Sequence, residues 1–334
     1  MERRFDISQP MQVGGQAVLE GVMMRAPGMV ATAVRRANGE IVVKKEPHVS
    51  IAEQYPVFKL PILRGAVGLI EMLIIGMRTL NFSAEVAMQD VAPSNGTNGS
   101  STNGRSTKKG ESVKLGITVA VSLLVGVAIF FVTPLFVTTS LFGVDQQAFM
   151  FNLIAGCIRI GMLLAYLGLI SLMKDIRRLF QYHGAEHKAV FAFELGAGLT
   201  VPTAAKQIRF HPRCGTSFLL IVMVVSILLF SVLDALLISW LGSINLLTRL
   251  LTHLPLIPLV GGISYEFIKA SAKRSNTTLG RIAVAPGLWL QKITTKEPDE
   301  SQLEVAVIAL RCALGEEYPV SSPVNVLVNQ PSVN

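Results

Sequence analysis

The stretch TSFLLIVMVVSILLFSVLDALLISW, residues 216–240, decides the class of fold, because its single charged residue, Asp234, lies near its far end. About 20 apolar residues suffice to cross the hydrocarbon core of a bilayer as a helix. Three similar runs occupy residues 115–142, 148–173 and 246–263, and the last contains Pro255. The sequence therefore predicts about four transmembrane helices, the last of them kinked at proline.

The composition agrees with a membrane protein. Of the 334 residues, 51% are hydrophobic and 16% are charged, whereas about a quarter of the residues in a soluble domain are charged. The net charge is +8, and Lys and Arg concentrate at residues 174–214 while the connections 143–147 and 241–245 contain neither. Because basic loops stay on the cytoplasmic side, we expect both termini and the 174–214 loop in the cytoplasm. This topology explains the positive charge, and no nucleic-acid partner is predicted.

Residues 1–59 are predicted to form a cytoplasmic β-rich unit. The runs 29–36 and 40–45 resemble strands, and Asn38-Gly39 between them favours a tight hairpin turn because both residues tolerate positive φ. Residues 14–25 before the hairpin are rich in glycine and carry isolated polar side chains, which indicates close backbone approach.

The next segment, residues 60–91, has a helical pattern and the length of a span. It contains Arg64, Glu71 and Arg78, and charges are costly in hydrocarbon. We therefore expect an interfacial or re-entrant helix rather than a full crossing. Residues 92–112 are rich in Ser, Asn, Gly and Lys, which predicts a flexible linker.

The remaining boundaries complete the predicted organisation. Residues 113–317 form a membrane domain, which includes a cytoplasmic His/Cys loop at 174–215 and amphipathic C-terminal helices. A final helix is expected after a cap at Asp299 or Ser301, and residues 318–334 are expected to be disordered. The predicted fold class is an all-α polytopic membrane protein with an interfacial or re-entrant helix and a small N-terminal β-hairpin unit.

The 174–215 loop contains the sequence YHGAEHK, residues 182–188. On a helix His183 and His187 lie on one face, and Glu186 lies at the edge of that face. This spacing suits two nitrogen ligands of one metal ion with a carboxylate beside them. It is also the H-x-x-E-H order found in some zinc proteases.

A second polar cluster, His211-Pro212-Arg213-Cys214, directly precedes the apolar stretch. Cys214, as thiolate, or His211 is a candidate third ligand, and Glu266 after the last span is another. The expected cofactor is a divalent metal ion, with zinc favoured. In a hydrolytic site Glu186 would be the general base, and Arg213 or Lys188 would stabilise negative charge. The alternative is that these side chains bond lipid headgroups or backbone carbonyls.

Two polar residues lie within the predicted spans, and each has a structural and a functional interpretation. Arg159 is expected to pair with Asp234, Glu71 or Glu266, or to line a polar cavity. His253 is expected to be a packed or carbonyl-bonded histidine rather than a ligand.

Several segments together resemble the YqhQ-like family of multipass membrane proteins, which is built on a domain of unknown function. These segments are residues 14–25, 182–188, 211–217, 265–266 and 294–306, and the resemblance runs from about residue 11 to about 315. It implies a bacterial plasma-membrane or plastid-type location and a predicted metal-dependent enzyme of unknown reaction. On this chain the resemblance implies metal ligands at His183, His187, His211 and Cys214. It also implies nearby carboxylates at Glu20, Glu186 and Glu266.

The leading functional hypothesis is a metal-dependent membrane enzyme, a hydrolase of lipid-like or membrane-embedded substrates at the cytoplasmic membrane surface. One alternative is a non-catalytic membrane scaffold or assembly factor with a structural metal or none. A third is a small-solute transporter with Arg159 and Asp234 in its path. The expected partners are membrane lipids and other membrane proteins.

Overall fold

The structure is a computed structural model, and it describes residues 13–91, 107–212, 214–273, 277–316 and 323–328. The chain divides into two compact units. The sheet unit comprises Met1–Ala92, Leu167–Ile221 and Gly261–Asn334, and the helical unit comprises Pro93–Tyr166 and Val222–Val260.

The sheet unit contains a five-stranded sheet in the order β1-β2-β3-β4-β5. The strands are β1 Gly14–Val18, β2 Gly21–Ala26, β3 Gly28–Arg35, β4 Ile41–His48 and β5 Val324–Val328. The first four form an antiparallel meander, and β5 pairs parallel to β4. The predicted hairpin is confirmed as β3–β4, with Gly39 at φ 90°.

The prediction of a small β-hairpin unit was too limited, because the sheet has five strands. Strands β1 and β2 were hidden because glycines and the polar Gln16 and Glu20 interrupt the apolar alternation that marks a strand. The segment 318–334, expected to be disordered, supplies β5, in which Val324 and Val326 alternate along the edge of the sheet.

The helices, in chain order, are α1 Ile51–Gln54, α2 Leu63–Val91, α3 Thr107–Val127, α4 Thr133–Phe142, α5 Ala148–Ile170, α6 Lys174–Glu194, α7 Val201–Ala205, α8 Gly215–Leu241, α9 Leu246–His253, α10 Ile257–Lys273, α11 Thr278–Thr294 and α12 Glu300–Leu314. A π-helical turn, Ala128–Val132, joins α3 to α4. Of the predicted linker 92–112, residues 92–106 lie outside the described chain, and the rest begins α3.

Helices cover both faces of the sheet. Successive residues of a strand point to opposite faces, so Met24 packs in the cluster shared with α6 and α12, whereas Met23 packs with Ile75 and Phe82 of α2. Helix α12 begins with a capping box, because the Asp299 side chain accepts from the Gln302 backbone and Gln302 returns a bond. The predicted cap at Asp299 is confirmed.

Four helical segments are long and apolar enough to span a membrane. They are Ile117–Phe142, Ala148–Ile170, Gly215–Leu241 and Leu246–Ser271. They agree in number and position with the predicted spans, and the first contains the π-helical turn.

Buried charges of the helical unit are paired differently from the prediction. Asp234 accepts hydrogen bonds from Asn152 at 2.7 Å, Arg249 at 2.9 Å and His253 at 2.9 Å. Arg159 donates instead to the Phe130 carbonyl at 3.0 Å. It also approaches Ser226 of α8, which lies eight residues, or about 12 Å, from Asp234 along that helix. The predicted pairing of Arg159 with Asp234 is therefore wrong.

The other two predicted partners of Arg159 are also occupied within the sheet unit. Glu71 accepts from the Ser50 hydroxyl at 2.9 Å and from the Ile51 amide at 2.8 Å, so it caps α1. Glu266 forms an ion pair with Arg64. His253, expected to be packed or bonded to a carbonyl, is fully buried, bonded to the Asp234 carboxylate and stacked on a phenylalanine ring.

Candidate metal centre

Helix α6 presents two imidazoles on one face, as the i, i+4 spacing predicts. Cys214 lies in the turn before α8 and brings its sulfur to them, with Sγ 3.2 Å from Nε2 of His183. One ligand atom from each of His183, His187 and Cys214 lies within 4.8 Å of the others. This triad could hold a metal ion with two nitrogen ligands and one thiolate.

Backbone carbonyls fix the orientation of both imidazoles. Nδ1 of His183 donates to the Thr294 carbonyl at 2.8 Å, and Nδ1 of His187 donates to the Arg209 carbonyl at 2.5 Å. A histidine that donates through Nδ1 keeps the lone pair of Nε2 free for a metal. Nε2 is therefore the nitrogen of each ring that a metal would take, once any proton on it has been displaced.

The turn that holds Cys214 is clamped by a fully buried glutamine of α11. The Gln291 side-chain oxygen accepts from the His211 amide at 2.8 Å, and its nitrogen donates to the His211 carbonyl at 2.7 Å. The Cys214 amide donates to the same carbonyl at 3.3 Å. The sulfur also accepts from the Thr216 amide at 3.4 Å. The ligand is therefore held by its backbone as well as by the imidazoles.

Glu186 is buried beside the triad, with Oε2 3.4 Å from Nε2 of His187. Strand β1 runs over this carboxylate at Gly15, where a Cβ atom would lie 2.8 Å from Cγ of Glu186. A side chain at this position would displace Glu186. The glycine-rich segment before the hairpin therefore packs directly against the site.

The charges of Cys214 and Glu186 shift the pKa values of the two histidines, and the histidines shift the pKa of Cys214. Burial alone would lower the pKa of His187, but the charges of Glu186 and Cys214 overcome it and raise the pKa to about 9. Burial is likewise outweighed at His183, whose pKa is raised mainly by Cys214. Burial would raise the pKa of the Cys214 thiol, but the two histidines hold that pKa well below its ordinary value. These shifts favour a thiolate beside positively charged imidazoles in the metal-free site, and a bound metal would replace the imidazole protons.

Besides Glu186, two predicted site residues of the described chain lie outside the triad. His211 is buried, with Nε2 3.3 Å from Glu194 and its ring 5.7 Å from that of His187. Burial lowers the pKa of His211 to about 4. Glu266 is not brought to the site, because Arg64 holds its carboxylate through two N–H groups. Arg213 lies outside the described residues.

Sequence reasoning missed the residues that support the ligands. Gln291 and Thr294 come from α11, about 80 residues after Cys214 and more than 100 after His183. A signal was present for Gln291, which is a polar residue in the apolar pattern of an amphipathic helix. The carbonyl of Arg209 carries no sequence signal, because any residue supplies one.

Gly184, between the two imidazoles, lets the chain before α12 touch α6. A Cβ there would lie 2.1 Å from the Lys296 carbonyl oxygen, and backbone cannot easily move away. We expect Gly184→Ala to destabilise the protein by about 1–3 kcal/mol and to weaken metal binding. Thermal unfolding in detergent and zinc titration measure both effects. The control is Gly215→Ala, where a Cβ meets nothing within 4 Å, and equal effects of the two changes would contradict the packing argument.

Comparison with known proteins places the chain in a family. A family model described as "Protein of unknown function (DUF1385)" matches residues 60–316. The chain is similar to "Uncharacterized protein YqhQ" of Bacillus subtilis (strain 168), with 33% identity over 302 residues that cover 89% of this chain and 91% of that protein. No solved structure matches. The chain therefore belongs to the YqhQ-like DUF1385 family, as its motifs indicate.

Proposed function

We propose that the protein is a metal-dependent membrane hydrolase, in which His183, His187 and Cys214 hold a zinc-type ion and Glu186 is the general base. The observation that carries the proposal is the convergence of the three ligand atoms within 4.8 Å beside a buried carboxylate. Two imidazoles and one thiolate match a type of catalytic zinc site that keeps its fourth position open.

The donor set fits such an ion. Both Nε2 atoms are free of backbone partners while both Nδ1 atoms are bonded to carbonyls, and the thiol favours its charged form. A bound zinc ion would act as a Lewis acid and lower the pKa of a coordinated water toward neutrality. Thiolate and imidazole ligands favour zinc over magnesium or calcium, which prefer oxygen.

Glu186 would accept the proton of the attacking water and then deliver it to the leaving group. Its position supports this role, because it lies beside the ligand atoms without belonging to the triad. A carboxylate held against Gly15 has little freedom to turn away. Lys188, by contrast, is committed to an ion pair with Glu297, so it is not available to stabilise charge on a substrate.

A lipid-like or membrane-embedded substrate is supported by where the ligands lie in the chain. Cys214 immediately precedes α8, a candidate span, so the site lies at the end of a membrane helix. His183 is only partly buried, whereas His187 and Cys214 are buried, so the open side of the triad is at His183. The distribution of Lys and Arg supports a cytoplasmic position for this end of α8.

Metal binding should be coupled to proton release. At pH 7 the metal-free site carries a proton on His187, whose pKa is raised to about 9, and the two histidines favour the ionised form of Cys214 by lowering the pKa of its thiol. Zinc must displace that proton, so we expect about one to two protons released per ion and affinity rising about tenfold per pH unit for each, up to about pH 9. Calorimetry of zinc binding in two buffers of different protonation enthalpy measures the number of protons released per ion. Binding without proton release would contradict the assigned protonation.

The proposal is tested by activity in a bilayer. The full chain is reconstituted in liposomes and incubated with a panel of acyl and phosphoryl ester lipids. Cleavage is measured in three conditions: with zinc, after chelation, and after zinc is restored. Cleavage that is lost on chelation and recovered with zinc supports a hydrolase. A protein that binds zinc, unfolds on chelation and cleaves none of the panel supports the scaffold alternative instead.

A further inference from the structure

The N-terminal half of α2 packs on a candidate membrane span within the sheet unit. At Gly65 of α2 a Cβ would lie 2.8 Å from Cβ of Tyr265 and 3.0 Å from Cα of Gly262. At Gly262 of α10 a Cβ would lie 2.4 Å from the Ile62 carbonyl oxygen. The two helices therefore touch backbone to backbone, a contact that glycines permit in membrane helix packing.

An ion pair neutralises the charges at this contact. Arg64 donates through Nε to Oε1 of Glu266 at 2.6 Å and through a second N–H to Oε2. This two-point geometry is strong and directional. An unpaired Arg64 would be costly in the hydrocarbon core, and pairing with Glu266 reduces that cost. The start of α2 can therefore lie in the membrane.

The length of the candidate span favours a contact inside the bilayer rather than on its surface. The span Leu246–Ser271 has 26 residues, so it extends about 39 Å and exceeds the hydrocarbon core of about 30 Å. For a straight helical span centred on the core, Gly262 would lie about 10 Å below the core boundary and Glu266 about 4 Å below it. Ile62 and Gly65 contact Gly262, so they lie at the same depth.

The outward face of α2 changes character along its length. In the first half of α2 and the turn before it, the exposed side chains are apolar apart from Lys59, whose long stem allows its charge to reach the membrane interface. The apolar side chains expose 40–58% of their surface: Leu60, Leu63, Ile70, Leu73 and Ile74. From Arg78 onward the exposed face is mostly polar, with Asn81, Glu85 and Gln89. The inward face packs on the sheet through Ile75, Phe82 and Val86.

The chain reverses direction just before α2. Tyr55 and Val57, which lead into the turn, expose 57% and 63% of their surface. Ile62 has φ 72°, a conformation that a β-branched residue rarely adopts. The reversal therefore directs an apolar tip outward and brings the start of α2 against α10.

We propose that residues 55–74 form a re-entrant anchor, inserted among lipid acyl chains beside α10 and leaving the membrane before Arg78. The occupant of its apolar face is the bilayer, because that face continues the surface of a membrane span. The second half of α2 then holds the sheet at the membrane surface through Ile75 and Phe82. The anchor does not depend on the presence of a metal.

Depth-dependent fluorescence quenching tests the anchor in the full chain. The two native tryptophans, Trp240 and Trp289, are both exposed and are replaced by phenylalanine. Single tryptophans are then introduced as Leu60→Trp at the tip and Leu327→Trp on β5. These leucines are matched, with 55% and 47% of their surface exposed. Each variant is reconstituted in liposomes and titrated with acyl-brominated lipids and with aqueous acrylamide.

We expect brominated lipid to quench Leu60→Trp severalfold more than Leu327→Trp, and acrylamide to show the reverse order. Quenching of Leu60→Trp by acrylamide to the level of the control would place the tip in water and overturn the anchor. Protection from both agents would show that protein covers the tip, which also overturns it. If Leu60→Trp fails to fold, Ile70→Trp on the same face has the same expected outcomes.

Discussion

Glu186→Gln is expected to lower turnover by about 10²–10⁴-fold while the metal content stays that of the wild-type protein. The amide keeps the shape of the side chain but cannot accept the proton of an attacking water, and general-base catalysis is typically worth this factor. Glu186 lies 3.4 Å from a ligand nitrogen without belonging to the triad, so the ion should remain.

A cobalt-substituted protein gives a second readout that needs no substrate. The visible spectrum of bound cobalt(II) reports ionisation of a coordinated water, and Glu186→Gln should shift the pH at which that change occurs. The control is Glu300→Gln, an exposed position in the first turn of α12, which should change neither turnover nor spectrum. Unchanged turnover in Glu186→Gln would remove this carboxylate from the mechanism.

Cys214→Ala is expected to lower zinc affinity by well over 100-fold. Loss of a residue that only supports a ligand typically costs 10–100-fold, and here the single anionic ligand of the triad is removed. The change also removes the negative charge that raises the pKa of His183 and helps to raise that of His187. Both imidazoles should therefore titrate at lower pH in the metal-free variant, which NMR of the histidine ring protons measures.

The matched control is Cys312→Ala, the same substitution at another buried cysteine. Cys312 belongs to the apolar cluster shared by α6, α12 and the sheet, so its loss should reduce stability without removing metal. Equal zinc affinity in the two variants would show that the sulfur of Cys214 is not a ligand.

The parts of the fold that follow local rules were predictable from the sequence. Long apolar runs with few charges predicted four spans, and they coincide with the four helical segments long and apolar enough to cross a membrane. Asn38-Gly39 identified the β3–β4 turn. The spacing of His183 and His187 placed both imidazoles on one face of α6. Each of these signals lies within a few residues, and tertiary structure did not override it.

The parts that depend on distant contacts were not predictable. Strand β1 lacks apolar alternation because it begins with glycines, and at Gly15 a Cβ would meet the Met23 carbonyl oxygen at 2.5 Å and Cγ of Glu186 at 2.8 Å. Glu266 has the right chemistry for a ligand, but its partner is Arg64, 202 residues away. Gln291 holds the Cys214 turn through backbone groups of His211, and no local pattern reveals such a contact.

Elemental analysis tests the central claim most directly. The protein is grown and purified without chelators, solubilised in detergent and compared with a His183→Ala/His187→Ala double variant whose helical content is checked by circular dichroism. We expect near-stoichiometric zinc, or a similar transition metal, in the wild-type protein and none in the folded variant. Wild-type protein that contains no metal and takes up no added zinc would contradict the metal centre, and the histidine cluster would then be structural.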